Sequence, residues 1–279
     1  MASAIPTHMP NFFHATSGPS TGKAASDLWR GLRRAPLWLA LAWQDIKLRY
    51  RGSVLGPFWL SISMAVTVVV LGFVYSDLFH HPLNEYLPYL VTGLMTWGFI
   101  AMSLNDACTC FTAAESFIRK ARQPYSIYVF RVVCRNLIIL AHNFVIYLIV
   151  ALIFHLNPGA AVVWLFPALL LLVLNAVWIS FLLGMICARF RDVTQIVNSL
   201  THVVFFATPI LWHSGLLQKR HYVVEANPFH HMLELFRSPL LGQKPAPESW
   251  WIMLGITAAG MLVSFLFFRH FRARLAYWV

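Results

Sequence analysis

The chain has 279 residues, of which 59% are hydrophobic and only 11% charged, whereas a soluble domain carries about a quarter charged residues. This balance excludes an ordinary soluble globular protein and makes lipid the main solvent. The net charge of +11 would point to nucleic acid in a soluble protein, but here it matters through where Lys and Arg fall between apolar spans.

Residues 1–25, rich in Pro, Ser, Thr, Gly and His, have no periodicity and read as a mobile tail. They lack the apolar core of a secretory signal, so the first span is expected to be an uncleaved anchor. In the next region, 26–56, Ser26 can cap a short helix and Pro36 can open a second. Within that second helix Leu39, Trp43, Ile46 and Tyr50 share one face, while Gln44, Lys47 and Arg51 share another. The pattern fits an amphipathic helix lying in the membrane interface, or a plain anchor.

Residues 57–279 hold six stretches near the roughly 20 apolar residues that a span requires. They lie near 57–79, 88–111, 136–156, 163–187, 195–215 and 250–268. Seventeen of the 21 Lys and Arg fall in the N-terminal region, the 112–135 and 188–194 loops and the tail from 269. The positive-inside rule then puts both termini in the cytoplasm. The expected fold is an all-α integral membrane protein with six transmembrane helices.

Two connections have character of their own. In AAESFIRKARQPYSIYVFR, Pro124 splits the loop into two short helical pieces, and Phe117 and Ile118 form an apolar tip beside Arg119, Lys120 and Arg122. Such a tip suits a groove on another protein, or the loop is a solvated turn whose cations enforce topology. The external segment 216–249 carries helix signals in Asn227 as cap, Pro228 at the first position and Gly242 as stop. Phe229, Met232, Leu233, Phe236 and Leu240 give it an apolar stripe, with His230, Glu234 and Arg237 expected to face water or a pore.

No catalytic chemistry emerges. The nearest approach to G-x-x-x-x-G-K-[ST] is Gly18, Gly22, Lys23 and Ala24, with the glycines one residue too close and no hydroxyl for magnesium. Cys108, Cys110, Cys134 and Cys187 show no metal spacing and read as packing residues. The pairs His80–His81 and His230–His231 diverge on a helix or strand and chelate poorly, so no metal site is expected. Asp106 is the one carboxylate clearly inside a span, where it can couple an ion, act as a gate, or pair with Arg119 or Lys120. The aromatics Trp59, Tyr75, Trp97, Phe205, Phe206 and Trp212 are channel or gate candidates, although an aromatic belt places rings there by default. No acid–base pair or metal cluster supports a membrane enzyme.

Residues 44–59, QDIKLRYRGSVLGPFW, resemble the entrance segment of ABC exporter permeases for cell-surface polysaccharides of the O-antigen and capsule type. Residues 189–212, RFRDVTQIVNSLTHVVFFATPILW, resemble that family's fifth span, and Asn227, Pro228, Arg237 and Gly242 resemble its external helix. The resemblance implies a homodimer of six-span subunits in the inner membrane of a bacterium, driven by two copies of a separate ABC ATPase that binds ATP and magnesium. It would move a lipid-linked polysaccharide outward, with no cofactor on this chain and no nucleic acid partner. Helix 37–51 would then be the interface helix at the substrate entrance. Glu115, Ser116, Phe117, Ile118, Arg119 and Arg122 would form the coupling helix that docks on the ATPase. Arg49 and Arg51 are expected to hold the lipid phosphates. An ABC permease for a drug or small lipid, or an ion-coupled secondary transporter, are the alternatives.

Overall fold

The computed structural model describes residues 20–49, 51, 58–120, 123–215 and 221–279. Nearly all of them are helical, and no strand occurs among the described residues. Helices α1 (Thr21–Arg33) and α2 (Ala35–Arg49), joined through Arg34 alone, come ahead of α3 (Phe58–Phe79) and α4 (Leu83–Thr109). A 3-10 turn (Thr112–Ala114) leads into the short α5 (Glu115–Lys120), followed by α6 (Ser126–Ile153), a second turn (Gly159–Trp164) and α7 (Leu165–Arg189). Then come α8 (Val193–Ala207), α9 (His221–Glu225), α10 (Pro228–Leu240), α11 (Pro247–Phe271), a turn (Arg272–Arg274) and α12 (Leu275–Trp278).

Five of these, α3, α4, α6, α7 and α11, are long and apolar enough to cross a bilayer. Helix α8 is not. Its 15 residues reach roughly 22 Å at about 1.5 Å each, short of a hydrocarbon core of about 30 Å. The expectation of an unbroken fifth span over 195–215 is therefore corrected. The helix ends where Thr208 turns extended, with ψ at 137°, because the proline that follows disfavours a helical residue before it.

Two other boundaries move. Helix α1 starts at Thr21, with the Ser20 hydroxyl accepting from the Lys23 amide at 3.4 Å; Ser26 lies inside it, and residues 21–25 are helix rather than tail. No proline interrupts that run, and Ala24 is fully buried. Helix α6 starts at Ser126, ten residues ahead of the expected span at 136, so Pro124 precedes one long helix instead of dividing two short pieces. Arg131 and Arg135 thus lie on a spanning helix and not in a loop.

At the centre stands α4, packed against α3, α6, α7, α8 and α10. In its most apolar window 67% of residues are buried, against 17% in α3, so α3 turns nearly its whole circumference outward. Helices α3, α6 and α10 end on left-handed residues, His80, His155 and Gly242, followed by amide bonds from His81 to Ser76 O (3.1 Å), Leu156 to Ala151 O (2.9 Å) and Gln243 to Ser238 O (2.8 Å). This stop satisfies the last carbonyls. Only at Gly242 is the left-handed residue a glycine, and a Cβ there would also come within 3.2 Å of Asn157 O.

Candidate functional site

One end of the bundle gathers the basic segments, and two carboxylates, one on α1 and one on α2, organise it. Asp27 on α1 is fully buried. Its carboxylate accepts from the amides of Tyr125 (3.2 Å) and Ser126 (3.1 Å) at the start of α6, and from the Arg272 guanidinium (3.1 and 3.0 Å) after α11. An anion at a helix N-terminus satisfies donors that have no partner within the helix. Gly31 is required beside it, since a Cβ would stand 2.0 Å from the Ser126 hydroxyl oxygen.

Asp45 on α2 does the second fastening. It accepts from both Nε (2.8 Å) and Nη2 of Arg131, and from Nη1 of Arg135 at 3.1 Å. The other arm of Arg135 pairs with Asp106 on α4 at 2.7 Å. The expected pairing of Asp106 with Arg119 or Lys120 is thus corrected. Asp106 faces α6, while Arg119 pairs with Glu115 one turn back at 2.9 Å and donates to the main-chain oxygen of Val279 at 2.6 Å. Two arginines meet two carboxylates, so the cluster carries no net charge. A carboxylate held by a guanidinium is also a poor place for a coupling ion to come and go.

Helix α5 projects from this end, and none of its residues is buried. Phe117 stays half exposed at 50%, and Glu115, Ser116 and Arg119 are likewise outside the core, with Ile118 partly packed against it. Arg122 lies outside the described residues. Arg49 and Arg51 are both exposed, and neither pairs with a carboxylate among the described residues. Trp59, 54% exposed in the first turn of α3, stands at this end and not among the rings of the other.

The opposite end is built around the break after α8. The Thr208 amide closes α8 on Val204 O at 2.9 Å and the Ile210 amide donates to Thr208 O at 2.7 Å, while the carbonyl oxygens of Pro209–Trp212 are taken by side chains from α4 and α10. Tyr86 donates to Leu211 O (2.5 Å), Tyr89 to Pro209 O (3.0 Å) and Trp212 O (2.8 Å), and Arg237 to Pro209 O (2.9 Å) and Ile210 O (3.5 Å). Arg237 is 3% exposed, with its guanidinium carbon 3.7 Å from the centre of the Tyr89 ring. The expectation that it faces water or a pore is overturned. Carbonyl oxygens and an aromatic face together replace the hydration a buried cation would lose.

Around the break the aromatic candidates converge unevenly. Trp97 is buried between Phe205 (5.8 Å) and Phe229 (5.9 Å), and its Phe205 neighbour touches Phe206 at 5.1 Å. Trp212 Nε1 donates to Phe206 O at 3.2 Å. Tyr75 joins by a row of rings through Phe79 and Tyr86 to Tyr89, against which His213 stacks at 3.9 Å. At the base of α10, Asn227 caps the helix by accepting from the Phe229 amide and donates to the Thr208 hydroxyl at 2.9 Å. The start of α10 is thereby tied to the end of α8, and Pro228 takes its expected place in the first turn.

Reading the sequence missed Asp27, Asp45, Arg131, Arg135 and Gly93 as site residues. A signal existed for the charged ones: Asp45 interrupts an apolar helix, and Arg131 and Arg135 recur one turn apart at the start of another, positions that call for a partner. Gly93 had no local signal. A Cβ there would lie 2.2 Å from the Arg237 Nη2 and 3.2 Å from Ile210 O.

Residues 36–241 match the ABC-2 type transporter family. The chain is 25% identical over 209 residues to the O-antigen export system permease protein RfbA of Myxococcus xanthus, covering 72% of this chain and 79% of that protein. Two Klebsiella pneumoniae proteins of the same name are 23% identical over 196 residues (70% and 76% covered) and 26% identical over 208 residues (71% and 79% covered). With five helices able to cross a bilayer and a family match over most of its length, the chain is a multi-pass membrane protein and belongs to the ABC-2 type transporter family, as a transmembrane rather than a catalytic subunit.

Proposed function

We propose that this chain is the transmembrane half of an ATP-driven exporter that moves a lipid-linked polysaccharide, of the O-antigen type, outward across the inner membrane of a bacterium. The observation that carries this reading is the similarity, over about seven-tenths of the chain, to permeases whose names state O-antigen export. The functional unit is a homodimer with two ABC ATPase subunits, which bind the ATP and magnesium, and both termini lie in the cytoplasm. Helix α5 docks on the ATPase, because none of its residues is buried and Phe117 stays half exposed beside basic residues. Arg49 and Arg51 meet the lipid diphosphate, since Arg131, Arg135 and Arg272 at the same end are already engaged by Asp27, Asp45 and Asp106, while these two pair with no carboxylate among the described residues.

Coexpression with an ABC ATPase subunit of the same bacterium tests the reading. Purified alone, the chain is expected to hydrolyse no ATP; together the two are expected to copurify, with Phe117→Asp separating them. If no ATPase associates with the wild-type chain under any condition, the exporter reading is wrong.

A further inference from the structure

We propose that Arg135 is a positioning residue that joins the interface helix α2 to the end of α4 that feeds the coupling helix, so that movement at α5 is delivered to the substrate entrance. The proposal rests on the exporter reading and adds to it the path through which ATP closure acts.

Three helices meet in this guanidinium. Its Nη1 holds Asp45 on α2 at 3.1 Å and its Nη2 holds Asp106 on α4 at 2.7 Å. Asp106 lies three residues before α4 ends at Thr109, and only Cys110, Phe111 and the turn at Thr112–Ala114 separate that end from α5. Asp45 lies one helical turn before Arg49. Helix α2 also packs on α6 through the buried Ala42 and Ile46 and through Trp38 against Phe130 at 6.0 Å, so a pull on Asp45 moves the helix as a body.

The two halves of the arrangement differ. Arg131 grips Asp45 through two donors, which keeps α2 on α6 by a forked, charge-assisted pair. Arg135 meets Asp106 through its other arm as an ion pair at 2.7 Å, so a shift of α4 against α6 draws on the guanidinium and through it on Asp45. Charges this poorly exposed, 15% for Arg135 and 22% for Asp106, do not part gradually, since each must find other partners. A polar cavity of about 40 Å³ beside them, lined by Thr109, Tyr128 and Arg131, is large enough for a water to take either place. The cluster is electrically neutral, which argues that it serves position and not phosphate binding.

The test uses the full chain with its ATPase in vesicles, measuring complex recovered, ATP hydrolysed and polysaccharide moved per ATP. Asp45→Asn and Asp106→Asn each keep the side-chain shape and are expected to lower export per ATP by roughly tenfold, the scale of one coupling interaction. If both act through Arg135, the double variant falls no further than the worse single, whereas independent supports would multiply to about a hundredfold. Arg135→Lys, a point charge that can hold one carboxylate at a time, is expected to match the single variants. Unchanged export per ATP, multiplying losses, or a loss wholly accounted for by less assembled complex would each overturn the relay. A wild-type chain that recruits no ATPase fails the exporter reading itself, and that is seen before any variant is compared.

Discussion

Replacing Arg237 by Leu tests whether the break after α8 is held by side chains. The substitution removes a charge-assisted bond to Pro209 O at 2.9 Å, a longer one to Ile210 O, and the stacking on Tyr89. A hydrogen bond from a charged donor contributes about 1.5–3 kcal/mol, and a desolvated cation over an aromatic ring about 2 kcal/mol. Two terms act the other way: Leu relieves the burial of a charge, and Tyr89 still donates to Pro209 O. The net cost is therefore about 2–4 kcal/mol, enough to lower the melting temperature by on the order of 5–10 °C. Thermal unfolding in nanodiscs measures it, and hydrogen exchange localises it: protection should fall at amides 210–213 and around α10 while α6 and α7 keep theirs. Arg237→Lys should fall between the two, since an ammonium lacks the planar fork. A Leu variant with wild-type melting and wild-type exchange at the break would refute the reasoning.

Other predictions follow from the same contacts. Gly93→Ala should destabilise comparably to Arg237→Leu, because its Cβ displaces the guanidinium, and the double variant should cost little more than either alone in the same melting assay. Asp27→Asn removes the charge that meets Arg272 and the amides of Tyr125 and Ser126, and should cost about 3 kcal/mol, read as faster proteolysis of α1 and α2 without loss of the remaining helices. Arg49→Lys with Arg51→Lys should leave complex assembly intact and reduce export severalfold if the phosphates are gripped by two donors at once; full export would remove these arginines from the entrance.

Much of the functional geometry could be anticipated where it depends on local order. The start of α10 was legible because Asn227 and Pro228 act within one turn, and Gly242 because a left-handed stop is a local demand. The exposure of Phe117 followed from an apolar residue set among cations in a short loop. Arg237 was misread: helical periodicity put it on the polar face of α10, but that face meets the carbonyl oxygens of Pro209 and Ile210, nearly thirty residues earlier in the chain. Asp106 was likewise assigned to nearby cations when its partner, Arg135, stands on another helix.

Hydropathy and cation placement by themselves determined that this is a helical membrane protein with its basic segments on one side, because crossing lipid requires long apolar helices whose backbone bonds close internally. The residue run at 44–59 and the external helix pointed to its family in the same way. Which polar groups would pair inside the bundle was decided only by tertiary structure. The union of Asp45, Arg135 and Asp106, and the capture of the broken segment by Tyr86, Tyr89 and Arg237, each need helices far apart in the chain to meet. A buried charge or carbonyl finds its partner by proximity in space, and the one-dimensional pattern records only that a partner is needed.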